Sequence, residues 1–391
     1  MRQVVIASAC RTPIGSFQGA LSSQTAPKLG ALVIQGAVRR AGITPEQVEE
    51  VFMGCVLTAG VGQAPARQAS IFAGLPNSTP CTTINKVCGS GLKSVMLGAL
   101  TIMTGEADIV VAGGMESMSN APYLLDKARS GYRMGDGKVV DSMVKDGLWD
   151  VYNDYHMGSA AELCARECHI PRDVQDEFAA TSYKRALEAI EKGYFQDEII
   201  PVPIKSKDGT VTYVAEDEEP SKVKFEKIPQ LRPAFEKDGT VTPANASKLN
   251  DGAAALVLMS EEKAKELGVK PLAKIVAQAS SAQAPEWFTT APATVIQKLF
   301  AKTGLNKEDI DLFEINEAFS VVSLAVRQLL DLDLQKVDVN GGAVALGHPI
   351  GASGARILTT LIYAMQKRSS RRGLAAICIG GGEAAGVIIE R

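Results

Sequence analysis

The sequence predicts an α/β protein built from two related halves that flank a long stretch of different character. Three observations predict it. Buried-strand patterns alternate with helix patterns near both ends of the chain, which implies a mostly parallel sheet. Gly42-Ile43-Thr44-Pro45-Glu46-Gln47-Val48 returns in pattern as Gly304-Leu305-Asn306-Lys307-Glu308-Asp309-Ile310, at an offset of 262. Ser90-Gly91 returns as Ser353-Gly354 at an offset of 263, each opening a helix of small residues. Third, charge rises and the alternation stops between residues 118 and 249. That region is too long for one loop. The expected division is a first half of residues 1–117 plus 250–271, an inserted subdomain at 118–249, and a second half at 272–391.

In chain order, 4–8 reads as a buried strand and 26–40 as an amphipathic helix. Thr44, with Pro45 at the first helical position and Gln47 at the third, has the form of a capping box. Strands are expected at 51–57, 81–85 and 108–112, and helices at 65–73 and 90–104. Within the insert, helices at 157–169 and 173–192 precede short strands near 199–204 and 210–214. The sheet style resumes at 253–259 and again at 272–283. A strand at 337–340 should run into the Gly-rich stretch 340–354, and a helix over 352–365 should run out of it.

Composition narrows the class. The 391 residues are 46% hydrophobic and 22% charged, with a net charge of −3. There is no basic run, so nucleic acid and acidic membrane surfaces are not expected partners. No uninterrupted apolar run reaches the ~18–20 residues of a membrane span. No targeting segment is recognised ahead of the first strand, and the expected location is cytoplasmic. Seven cysteines without regular spacing do not form a disulfide framework. Cys10, Cys55 and Cys81 read as core residues. Cys164, Cys168 and His169 lie in a helical pattern without a second ligand cluster, so no metal is expected.

Two cysteines and one of three histidines lie in Gly-rich turns. His348, in Gly347-His348-Pro349-Ile350-Gly351, is placed for proton transfer near neutral pH; the competing reading is an incidental His in a turn. Cys88 precedes the helix that opens at Ser90-Gly91. A helix N-terminus and a nearby imidazolium would lower its pKa and favour attack on an acyl group, whereas the plain alternative is a buried structural Cys. Cys378 precedes Gly380-Gly381-Gly382, whose N–H groups could line an oxyanion site. Asn316 could orient a water or a carbonyl, or simply cap a helix. The repeat sets the Cys88 and His348 turns at equivalent places in the two halves, so both could face one site at the strand ends.

Taken together, Asn85-Lys86-Val87-Cys88-Gly89-Ser90-Gly91, Asn316-Glu317-Ala318-Phe319, residues 341–356 and Cys378-Ile379-Gly380-Gly381-Gly382-Glu383 resemble the thiolase family. Arg11-Thr12-Pro13-Ile14-Gly15 and Gly113-Gly114-Met115-Glu116-Ser117-Met118-Ser119 match further family stretches, so the resemblance spans the chain. It implies a duplicated α-β-α-β-α layered fold with an inserted loop domain. It also implies roles: Cys88 as acyl-accepting nucleophile, His348 as its base, and Cys378 as the acid/base for the second substrate. Asn316 with His348, and the N–H groups of Cys88 and Gly380, would hold the two thioester oxygens.

The segment Asn153-Asp154-Tyr155-His156-Met157-Gly158 resembles the acetoacetyl-CoA (biosynthetic) branch, with degradative 3-ketoacyl-CoA thiolases as the alternative. In that branch Leu148, His156, Met157, Phe235, Ser247, Ala318 and Phe319 would line the pantetheine and acyl pocket; core packing is the competing reading for Leu148, Phe235 and Phe319. Substrates would be acetyl-CoA, acetoacetyl-CoA and coenzyme A, with no tightly bound cofactor. A homotetramer is expected, joined through residues 120–141. Trp287-Phe288 replaces a Met-Gly common in the family and should reshape the acyl pocket. Lys222 and Lys224 are candidates for the CoA phosphates. A ketoacyl synthase, which shares this fold, would use one Cys and lacks a counterpart to Cys378.

Overall fold

The computed structural model describes residues 2–391. The first run comprises β1 (Val4–Arg11), α1 (Ala26–Ala41), β2 (Glu50–Gly54), α2 (Pro65–Phe72), β3 (Cys81–Ile84), α3 (Ser90–Thr104) and β4 (Ile109–Ser117). The intervening stretch carries α4 (Met157–Glu167) and α5 (Arg172–Glu191), and β5 (Asn250–Ser260) and α6 (Glu261–Glu266) follow it. The second run is β6 (Ala273–Ala282), α7 (Ala291–Thr303), β7 (Leu312–Ile315), α8 (Ser320–Leu330), α9 (Ala343–Leu346), α10 (Ser353–Lys367), β8 (Arg372–Ile379) and β9 (Glu383–Glu390).

The strands form one sheet in the order β7-β8-β9-β6-β1-β5-β4-β2-β3, with Gly15–Ser16 pairing onto β5. Counted outward from the β1/β6 junction, the two halves share one order. They meet where Val5 pairs with Lys274 and Ile6 with Ala273. The repeat is local as well. α3 and α10 have equal length at an offset of 263. Capping boxes form at Thr44/Gln47 and at Asn306/Asp309. α1 and α7 stop at Gly42 (φ 69°) and Gly304 (φ 71°), in the left-handed conformation that glycine adopts without strain.

The expectation of a mostly parallel sheet is corrected: the sheet is mixed. Only β2–β3, β2–β4 and β7–β8 pair in parallel, while β5 and β9 each lie antiparallel to both neighbours. β9 follows β8 through the three-residue turn 380–382, and a connection that short forces a hairpin. β5 occupies the same position beside β4, but there residues 118–249 stand in place of the turn. The sequence pattern registers alternation and cannot register a return strand. A second correction concerns residues 337–340, which form no strand; Val337 makes only an isolated bridge to Phe313. Third, β4 runs through Gly113-Gly114 to Ser117 rather than ending there. A Cβ on Gly114 would lie 2.1 Å from the Gly351 carbonyl oxygen, so glycine marks a close approach and not a strand end.

Five layers result. α3 and α10 lie at the centre, where Leu92, Val95, Ile357 and Leu361 pack against Val110 and Leu256 of one half-sheet and Ile377 and Val387 of the other. α1 and α2 cover one outer face (Leu29, Val33 and Ile34 against Val111 and Val257), and α7 covers the other (Val295, Ile296 and Leu299 against Leu374 and Ile388). Covering on both sides explains why Val87–Thr104, with a mean hydropathy of 1.4, is as apolar as a membrane span.

The two central helices touch at equivalent glycines. A Cβ on Gly91 would lie 2.8 Å from the Ala355 nitrogen, and one on Gly354 would lie 2.3 Å from the Leu92 nitrogen. Elsewhere the intervening stretch is pinned to β1 through Arg11, which is fully buried. Its guanidinium makes a bidentate pair with Asp217 (2.7 and 2.9 Å), bonds Glu198 and lies 4.9 Å above the Phe195 ring.

Two outcomes follow. Gly354→Ala forces backbone apart and is expected to destabilise the protein by about 1–3 kcal/mol, read as a lowered denaturation midpoint; an unchanged midpoint would refute the crossing. Arg11→Met leaves Asp217 and Glu198 buried without their cation and should cost about 3–5 kcal/mol, seen in the same measurement, with early proteolysis within 118–249.

Candidate active site

The Gly-rich turn at Cys88 is built by hydrogen bonds between near neighbours. The Lys86 N–H donates to Ser90 Oγ (2.8 Å), Ser90 Oγ donates to the Val87 carbonyl (2.6 Å), and the Val87 N–H donates to Asn85 Oδ1 (3.0 Å). These bonds hold Val87 at φ 45°, a conformation costly for a β-branched residue. A Cβ on Gly89 would lie 2.3 Å from Ile379 Cδ1, so β8 presses directly on the turn. Cys88 thus projects from the N-terminal end of α3 toward the end of β8, where Cys378 and Gly380 lie.

The equivalent turn of the second half presents His348. Its backbone N–H donates to Asn250 Oδ1 (2.8 Å). Its Nδ1 lies 2.6 Å from Ser353 Oγ, and that hydroxyl donates to the Pro349 carbonyl (3.0 Å). With its one proton spent there, Ser353 accepts from His348, which assigns the proton to Nδ1 and leaves Nε2 as the basic nitrogen. Among the described residues, Nε2 has no protein partner. Ser353 and Ser90 are repeat equivalents, and each donates its hydroxyl to a carbonyl of its own turn.

Both turns open on one cavity of about 550 Å³. Cys88, His348 and Gly380 are on its wall, as are Leu148, His156, Met157, Phe235, Ser247, Ala318 and Phe319. Cys378 is fully buried within the cluster that supplies the wall residues Met157, Phe288, Ala318 and Phe319. Asn316 follows β7, and its N–H donates to the Ala376 carbonyl (3.0 Å) beside Cys378. Its side-chain amide is buried without a protein partner among the described residues. It is not a helix cap, since α8 begins at Ser320 with Phe319 as its N-cap residue. At the far wall His156 stacks on Phe235 (ring centres 4.7 Å apart), and its Nδ1 accepts from the Gly158 N–H (3.0 Å). Phe319 meets Phe235 and Phe288 edge-on at 6.1 and 6.3 Å. Of the pair Trp287-Phe288, only Phe288 borders the cavity; of Lys222 and Lys224, only Lys222 does.

The electrostatics reverse one expectation. Cys88 is not a low-pKa thiol. Burial pushes it up to about 11, and the Glu116 carboxylate adds to the rise, against the pull of the Gly380 and Cys88 N–H groups. Burial, reinforced by Arg356, brings His348 down to about 3. Desolvation therefore outweighs the helix terminus, and thiol and imidazole rest as a neutral pair. Cys378 is raised well above its ordinary value, by burial and then by Cys88, although the Ala318 N–H opposes this.

Glu116, Asn250, Ser353 and Glu317 support these groups, and sequence reasoning assigned none of them a role. Glu116 accepts from the N–H groups of Val56 (3.1 Å), Leu57 (3.2 Å) and Gly351 (2.9 Å), tying the His348 turn to the end of β2. Burial raises it to about 7 against those N–H bonds. Glu317 accepts from Ser182 Oγ (2.7 Å) and from the Val344 N–H (3.1 Å). An acid inside an otherwise apolar strand is the signal that could have found Glu116.

Two family models cover this geometry: the thiolase N-terminal domain matches residues 4–262, and the thiolase C-terminal domain matches residues 269–391. A probable acetyl-CoA acetyltransferase of Dictyostelium discoideum is 54% identical, over 100% of this chain and 94% of its own length. The acetyl-CoA acetyltransferase of Cupriavidus necator is 53% identical over 100% of both chains. The mitochondrial acetyl-CoA acetyltransferase of Bos taurus is also 53% identical, over 100% of this chain and 92% of its own. Among solved structures, the Acat5 thiolase of Ascaris suum in complex with coenzyme A superposes with a TM-score of 0.95 at 45% identity, covering 100% of both chains. Matched end to end in sequence and in fold, with two half-domains closing on one cysteine-and-histidine cavity, the chain belongs to the thiolase family.

Proposed function

We propose that this chain is an acetyl-CoA C-acetyltransferase, which condenses two acetyl-CoA reversibly to acetoacetyl-CoA and CoA through an acetyl-Cys88 intermediate. One observation carries the reading: Cys88, the unpartnered Nε2 of His348 and the Gly380 N–H converge on one cavity in a chain 53–54% identical to relatives of that name.

The chemistry starts from a neutral pair. As Cys88 Sγ attacks the thioester carbonyl, its proton passes to His348 Nε2 and then to the departing CoA sulfur. The Cys88 and Gly380 N–H groups receive the negative oxygen, a role supported by their pull on the Cys88 sulfur. Cys378, once its own thiol proton has passed to the again neutral His348, then takes an α-proton from a second acetyl-CoA as a thiolate. The enolate carbon attacks acetyl-Cys88, and the adduct collapses with loss of the Cys88 thiolate. Asn316, acting through a water, and protonated His348 stabilise the enolate oxygen. The short acyl preference is supported by Phe235, Phe288 and Phe319, whose edge-on packing closes the wall. Coenzyme A enters as substrate along Leu148, His156, Met157 and Ser247. Tetrameric assembly is part of this reading. Its support is the exposed apolar side chains of Tyr123, Leu125, Met134 and Val139, around the strand pair Tyr123–Leu124 and Val140–Asp141. A cytoplasmic location belongs to the same proposal.

CoA-dependent cleavage of acetoacetyl-CoA and of longer 3-ketoacyl-CoA homologues tests it. Activity should be confined to acetoacetyl-CoA, and Cys88→Ala should lower kcat by about 10⁴-fold or more. Equal turnover of longer chains would move the assignment to the degradative branch, and no cleavage at any length would reject the mechanism. Second, a thiol at about 11 should react with iodoacetamide about tenfold faster per pH unit from neutrality into the alkaline range. A plateau near neutral pH would show a thiolate–imidazolium pair instead.

A further inference from the structure

We propose that Lys248 is a positioning residue, whose ammonium struts the His348 turn against the Asn316 turn by bonding one carbonyl from each side. This rests on the reaction proposed above, because the two turns it joins carry the groups assigned to a single oxyanion.

Lys248 Nζ donates to the Ala246 carbonyl (2.8 Å) and to the Val344 carbonyl (3.2 Å). Ala246 belongs to a segment zipped onto the residues after Asn316. It bridges to Phe319 in antiparallel fashion, the Ser247 N–H donates to the Ala318 carbonyl (2.9 Å), and the Ser320 N–H donates to the Asn245 carbonyl (2.8 Å). Val344 lies in α9, four residues before His348. In a continuing helix the His348 N–H would satisfy the Val344 carbonyl; here that N–H goes to Asn250 instead. Lys248 supplies the missing donor, as a cation at a helix C-terminal carbonyl does. The Val344 N–H is held from the Asn316 side as well, by Glu317 (3.1 Å). One residue is therefore gripped at N–H by an anion and at C=O by a cation, both anchored to the neighbouring turn.

The surroundings suit a fixed charge. The ammonium lies 5.5 Å above the Tyr183 ring of α5. Glu317, from the Asn316 turn, and Glu219, from the cavity wall, favour the charged form, while Lys222 shares that wall. Burial opposes them and brings the group down to about 8. Leucine or methionine there would leave the Val344 carbonyl without a donor, where His348 must hold its angle.

The test compares full-length Lys248→Ala and Lys248→Met with the parent chain in acetoacetyl-CoA thiolysis, with and without methylammonium. Both variants should lose kcat by about 10- to 100-fold, with KM changing less than kcat. Methylammonium should restore Lys248→Ala, which leaves room for it, and not Lys248→Met, which fills the space. A near-ultraviolet circular dichroism spectrum matching the parent certifies each fold, and the isosteric Met variant serves if the Ala variant does not fold. The strut is overturned if kcat is retained, if KM rises while kcat holds (Lys248 then binds substrate), or if folded Lys248→Ala ignores methylammonium. A parent chain that cannot cleave acetoacetyl-CoA would reject the reaction itself, a result distinguishable from an active parent with equally active variants.

Discussion

The architecture depends on one backbone contact, the crossing of α3 and α10 at Gly91 and Gly354. No side chain fits between these helices at their N-terminal ends, since a Cβ on either glycine meets backbone nitrogen of the other helix. Because the helices are repeat equivalents, their first turns face one another, and whatever precedes each turn arrives at the same place. Cys88 precedes one and His348 precedes the other. Their proximity is a consequence of symmetric helix packing and needs no long-range side-chain bond. Gly114 and Gly54 extend the same logic, each with a Cβ direction blocked by the Gly351 carbonyl oxygen, so that the His348 turn rests on the strand ends without intervening atoms.

Around that crossing the protein buries ionisable groups and then neutralises or pairs them. Arg11 is matched by two carboxylates. Arg356 lies 3.7 Å from Glu314, and burial still raises that carboxyl to about 8 against the pull of Arg356. Cys88, Cys378 and His348 are all driven toward their uncharged forms. In a site of neutral groups, charge appearing on a bound thioester oxygen would meet N–H donors already fixed in place. The cost falls on strained or crowded backbone, at Val87 above all.

Much of this was legible in the residues. Helix spans at 90–104 and near 353–367 follow from small and apolar residues bounded by glycine turns, and the repeat predicted that the Cys88 and His348 turns would meet. Strand direction was not legible. A strand pattern carries no sign, and only the length of the connection decides between hairpin and crossover. Nor was the thiol's acidity: the helix terminus is visible in Ser90-Gly91, whereas the desolvation that overrides it comes from packing that the fold assembles, from Val56, Leu57 and Met118 to Ile350. Lys248 and Asn250 escaped notice for a related reason. Each acts on main-chain atoms of a distant turn, and main-chain partners leave no pattern of residue types.

The turn 380–382 and the stretch 118–249 occupy the same position in the two halves. One half kept a bend just long enough to point the Gly380 N–H into the cavity; the other grew a wall carrying His156, Phe235 and Lys248. A duplicated protein could have had two pockets, one at each equivalent strand end. Here the longer connection in one half breaks the twofold relation, and the single cavity takes Cys88 from one half and His348 and Gly380 from the other. The asymmetry of the twin halves thus traces to the length of one hairpin connection, and severing the chain between them would part Cys88 from His348 and leave neither half with the whole cavity wall.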